Sequence, residues 1–107
     1  MPQLPAPVQA AIDAANAGDT GQFLALFGPG GAVDDWGRTF TGAGEIRSWS
    51  DAEFIGKRVS LAVESSETSP DGAVTVLATV GGDGFNGPSH FTFRLDGDTI
   101  ASMTIRA

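Results

Sequence analysis

From Lys57 onward, apolar residues recur at every second position, the signature of strands with one buried face. Val59, Leu61 and Val63 alternate with Ser60, Ala62 and Glu64, and the alternation resumes through Val74, Val76, Ala78 and Val80. Between these runs lies Ser69-Pro70-Asp71-Gly72. Pro70 presets φ and Gly72 tolerates the left-handed conformation, so the tetrapeptide predicts a hairpin turn. A glycine-rich loop from Gly81 to Pro88 leads to a strand with Phe91, Phe93 and Leu95 on one face. Asp96-Gly97-Asp98 then turns the chain into a last strand from Thr99 to Arg106.

The first half follows a different period. After Pro5-Ala6-Pro7, Val8, Ala11, Ile12 and Ala15 fall at helical spacing, and Asn16-Ala17-Gly18 supplies a stop. Asp19 with Gln22 has capping-box spacing ahead of Phe23, Leu24, Leu26 and Phe27, which predicts a second short helix. Gly28-Pro29-Gly30-Gly31 reads as irregular backbone. Ala32 to Trp36 and Arg38 to Phe40 read as a strand pair turning near Gly37, and a third helix begins near Gly44, with capping-box spacing at Ser50 and Glu53 that predicts a break and restart. Helices followed by hairpin-linked strands predict one α+β domain over residues 1–107 with an antiparallel sheet.

Composition narrows the chemistry. Hydrophobic residues make up 41% and charged residues 18%, as in ordinary globular proteins. With no cysteine, disulfides and thiolate nucleophiles are excluded, and His90 as sole histidine argues against metal catalysis and cofactors of that kind. A net charge of -7 disfavours nucleic acid as a partner. No window approaches the roughly 18 apolar residues of a membrane span, and no signal or transit peptide is visible at the N-terminus, so a cytoplasmic location is expected.

The order of elements, with Asn16-Ala17-Gly18-Asp19 after the first helix, Leu24-Ala25-Leu26-Phe27 ending the second, Ala32-Val33-Asp34-Asp35 at the first strand and Phe40-Thr41-Gly42-Ala43-Gly44-Glu45-Ile46 leading into the third helix, resembles the nuclear transport factor 2-like superfamily. Among its members the chain is most similar to small SnoaL-like (polyketide-cyclase-like) and ketosteroid-isomerase-like proteins. The resemblance implies N-terminal helices packed on a strongly curved antiparallel sheet, a cone enclosing an internal pocket, and homodimers through the convex sheet face.

It also places Asp35 at the general-base aspartate of the isomerases. Val33 and Asp35 share a strand face, so a core-facing Val33 carries Asp35 toward the pocket, while Asp34 faces away. The isomerases' oxyanion tyrosine falls at about Ala11 and their protonated aspartate at about Phe91, and this chain has no tyrosine. An enolate formed by Asp35 would lack its usual stabilisation. The plain alternative for Asp35 is an ion pair or capping role, with Arg38 or Arg47 as partner.

Trp36, Trp49, Phe23, Phe27, Phe85 and Phe91 are candidate walls for a small hydrophobic ligand, with Arg38 as a polar handle and Phe85 as a lid. The bland alternative is core packing for Trp36 and Trp49, capping of the sheet edge for Phe85, and filling of the cavity by the protein itself for Phe23, Phe27 and Phe91. His90, Thr92 and Arg94 alternate with Phe91, Phe93 and Leu95 and are expected on the convex face. Three functional readings follow: a ligand- or partner-binding dimer, an isomerase, lyase or cyclase using Asp35 as base, and a domain whose cavity its own phenylalanines fill.

Overall fold

A computed structural model describes residues 4–107. Two helices open the chain, α1 (Ala6–Ala17) and α2 (Thr20–Ala25), followed by strands β1 (Phe27–Asp35) and β2 (Arg38–Thr41). Helix α3 (Gly42–Glu53) and a 3-10 turn (Ile55–Lys57) lead into β3 (Ser60–Thr68), β4 (Val74–Gly81), β5 (Gly87–Asp96) and β6 (Thr99–Arg106). The six strands form one open sheet in the order β2-β1-β6-β5-β4-β3. No helix among the described residues is long and apolar enough to cross a membrane.

Local chemistry accounts for most of these boundaries. Helix α1 buries Val8, Ala11, Ile12 and Ala15 on one face and ends at Gly18 in the left-handed conformation. Asp19 caps α2 by accepting the Gln22 backbone N–H at 3.1 Å. The expected hairpins between β3 and β4 and between β5 and β6 are present, and Val74, Val76, Ala78, Val80, Phe91 and Phe93 are all buried beneath the helices.

The structure corrects the sequence-based expectation in four places. The sheet is mixed: four pairings are antiparallel, but β1 runs parallel to β6. Gly28 to Gly31 belong to β1, as a bulge in which the chain from Phe27 to Ala32 opposes only Ile100 to Ser102. Small residues serve this crowding, since a Cβ at Gly31 would stand 2.9 Å from the Gly28 carbonyl oxygen. Helix α3 does not break at Ser50, which is fully buried on the same face as Ile46 and Trp49. Its N-terminus is held instead by Glu45, whose carboxylate accepts the Thr41 backbone N–H at 2.9 Å. Val63 is exposed on the edge strand β3, just before its register shifts between Val63 and Ser65.

That edge is managed by one side chain. The Asn16 carboxamide at the end of α1 accepts the Leu61 N–H at 2.7 Å and donates to the Leu61 carbonyl at 3.1 Å, standing in for a further strand. Asn16→Ala leaves both backbone groups without these partners and is expected to destabilise the fold by about 1–2 kcal/mol, read as a lowered urea midpoint at unchanged m-value.

Candidate functional site

One end of the sheet closes on the C-terminal turn of α3 around a cavity of about 450 Å³. The β1–β2 turn, the end of α3, the 3-10 turn and the β4–β5 loop form its rim, and β5 and β6 contribute its floor with Phe91, Ser89 and Ile105. A volume of this size lies within the range of roughly 300–1,000 Å³ usual for ligand pockets.

The aromatic wall is built from the end of α3. Trp49, 3% exposed, stacks on Phe54 with ring centroids 4.9 Å apart and lies 6.1 Å from Phe40. Phe54 continues the contact to Phe91 at 6.4 Å. Its place follows from Gly56, where a Cβ would stand 1.7 Å from the Asp51 carbonyl oxygen, so only glycine lets the 3-10 turn fold back so closely. Trp36 and Phe85 stand at the rim, each 56% exposed. Exposed aromatics of this size beside a cavity offer apolar surface to a partner or ligand.

Trp36 reaches the rim because the β1–β2 connection is a two-residue turn. Asp35 pairs with Arg38, and Trp36 and Gly37 adopt φ of 54° and 91°. Two positive φ values suit a type I′ turn, in which glycine is at ease and tryptophan is not. The turn is braced from outside by Asp34, which accepts the Gly37 N–H at 2.8 Å and an Arg106 N–H at 3.1 Å. Arg106 and Gly37 hold the Asp34 carboxyl below the usual aspartate range. Asp34 does point away from Asp35, but as a paired group.

Asp35 lines the cavity and is largely buried. Both of its hydrogen bonds converge on one oxygen: Trp49 Nε1 donates to Oδ2 at 3.0 Å, and Arg38 Nη2 donates to the same atom at 2.7 Å. Oδ1 receives neither donor. Arg38 also reaches across the rim to Glu53, with Nη1 and Nη2 donating to the two carboxylate oxygens at 2.9 and 2.6 Å. The expected ion pair of Asp35 therefore forms with Arg38, and Arg47 has no part in it.

Of the residues singled out in the sequence, Asp35, Trp36, Arg38, Trp49, Phe85 and Phe91 converge on the cavity. Phe23 and Phe27 do not line it. They meet edge to face at 5.3 Å beneath the helices, where Phe23 is 1% exposed. Ser89, Phe54, Glu53 and Lys57 line the cavity and were not singled out. Ser89 was readable, since it shares the strand face of Phe91 and Phe93.

No family model matches the sequence, and no curated protein matches it. Solved structures do. A candidate polyketide cyclase from Sinorhizobium meliloti is 26% identical, superposes with a TM-score of 0.86 and is covered over 95% of its chain by 96% of this one. A Catenulispora acidiphila protein with a ketosteroid-isomerase-like fold, solved in complex with trimethylamine, is also 26% identical, with a TM-score of 0.81 over 98% of this chain and 87% of that one. A Mycobacterium tuberculosis protein solved with estradiol-17beta-hemisuccinate shares the fold at 15% identity, with a TM-score of 0.80 over 94% of this chain and 90% of the other. The chain has the nuclear transport factor 2-like fold, and the structures that share it include a candidate polyketide cyclase and a ketosteroid-isomerase-like protein.

The rim network carries a pH dependence. Arg38 holds the Glu53 carboxyl below its ordinary value of 4.5. Because the folded-state value is the lower one, the pair contributes its stability above about 4.5 and loses it as pH falls through the folded-state value. Asp34 and Asp71, lowered by Arg106 and Arg94, act with the same sign. The thermal midpoint is expected to drop as pH is taken below 4.5, and Glu53→Gln to drop less, in circular-dichroism melts across that interval.

Proposed function

We propose that this domain binds a small hydrophobic ligand in the cavity at the end of α3 without transforming it, and that it does so as a homodimer through the sheet face opposite the helices. The observation that carries this reading is the open cavity of about 450 Å³ walled by Trp49, Phe54 and Phe91, with Trp36 and Phe85 at its mouth. A domain filled by its own side chains would leave no such space. The neighbours solved with trimethylamine and with a steroid ester support a small organic ligand.

The catalytic alternative rests on Asp35 lying in the cavity wall with Oδ1 free of the two donors that hold Oδ2. Against it, Trp49 Nε1 and three of the five Arg38 N–H groups, the donors nearest that carboxylate, are already engaged with carboxylates, so an enolate oxygen would have to compete for them. A non-catalytic role accounts for the same arrangement without that difficulty.

Both readings are open to test. Trp36 emission should shift to the blue on titration with a neutral steroid, with micromolar affinity. Ala52→Trp, which places a large ring on the cavity wall, should abolish that binding while leaving the melting temperature near the wild-type value. Unchanged binding in Ala52→Trp would put the ligand elsewhere. Asp35-dependent exchange of ketone α-protons with deuterium, followed by proton NMR, would instead establish the enzyme.

A further inference from the structure

We infer that the ligand's polar end is a protonated amine, so that the cavity selects hydrophobic ammonium ions over carboxylates of the same shape. This rests on the ligand-binding reading of the same cavity and adds the chemical class of the ligand.

The side-chain donors nearest Asp35 already face carboxylates. Trp49 Nε1 is spent on Asp35 Oδ2, and Arg38 is divided between that oxygen and both oxygens of Glu53. What the wall leaves unmatched is an acceptor, Asp35 Oδ1, on a side chain only 15% exposed. The Asp35, Arg38 and Glu53 cluster holds two carboxylates against one guanidinium, so it carries one net negative charge. A carboxylate brought beside it would face repulsion and find the cluster's one guanidinium already shared by two carboxylates, whereas an ammonium N–H would meet Oδ1 in a charge-assisted hydrogen bond.

The remaining surfaces favour the same sign. Trp36, Trp49, Phe54, Phe85 and Phe91 present ring faces or edges to the space, and the faces of aromatic rings attract cations. Lys57 also borders the cavity, exposed on the 3-10 turn at the rim. Ser89, buried on that floor, carries a hydroxyl that can turn to donate or accept and so does not discriminate. The protein's net charge of -7 raises the local concentration of cations over anions around the mouth.

The experiment is a calorimetric titration at neutral pH with three probes of matched shape: phenylbutylamine, phenylbutanol and phenylbutanoate. The expected ranking is amine above alcohol above carboxylate, with the amine at least about tenfold tighter than the carboxylate. In Asp35→Asn, which keeps an oxygen for Trp49 and Arg38, the advantage of amine over alcohol should vanish while alcohol binding stays within about threefold of wild type. Alcohol binding without an amine advantage in the wild type would overturn the ammonium inference and leave the ligand-binding reading standing. An amine advantage that survives in folded Asp35→Asn would also overturn it, by removing Asp35 from the recognition. Should that variant not fold, the wild-type ranking decides alone. Binding of none of the three probes would overturn both readings.

Discussion

The parallel pairing of β1 with β6 is the constraint on which the site depends. It inserts the first strand beside the last one, so that Asp35 lies opposite Ile105 at the end of the sheet and the β1–β2 hairpin forms the outermost edge. A parallel neighbour cannot be reached by a tight turn, and here the whole chain from β2 through β5 forms the connection. Helix α3 is therefore stretched across the sheet between the hairpin and β3, with its C-terminal turn left at the open end. The cavity is the space that this arrangement leaves between the hairpin and the end of the helix.

Trp49 serves core and site together. Its ring is buried and stacked, which alone would explain its presence, while its N–H fixes the carboxylate of Asp35 on the neighbouring strand. Arg38 then ties that carboxylate to Glu53 at the last residue of α3, completing a bridge from strand to helix. Held by two donors on one oxygen, Asp35 can present its other oxygen in a defined direction.

Much of the fold was legible because each element carried its own local signal. Gly18 and Asp19 marked the junction of two helices, Pro70 and Gly72 the β3–β4 hairpin, and alternation through Val74 to Val80 the centre of the sheet. What misled was chemistry decided at a distance. Gly28 to Gly31 look like loop, and become strand only because β6 supplies a partner more than sixty residues away. Ser50 with Glu53 copies a capping signal, but burial beside Ile46 and Trp49 overrides it. In the site, period two put Asp35 on the strand face that borders the cavity, and the same reading points to Ser89. The use of Glu53 by Arg38 was invisible, since it depends on where the end of α3 meets β2. Phe23 and Phe27 were drawn to the core by the same apolarity that made them candidate walls.

Trp36 occupies a position that the turn itself would fill better with asparagine or glycine, and holding a bulky residue at positive φ costs about 1 kcal/mol. Its ring is more than half exposed, so burial recovers little of that. The residue is thus a departure from the local optimum of the hairpin at the one place where the hairpin borders the cavity. Because Asp34 and Arg106 brace the turn from the outside, the side chain at this position is largely uncoupled from the stability of the sheet. The rim can accordingly vary in shape and chemistry while the scaffold behind it stays constant, which makes this turn a natural point for relatives of the same fold to diverge in what they admit.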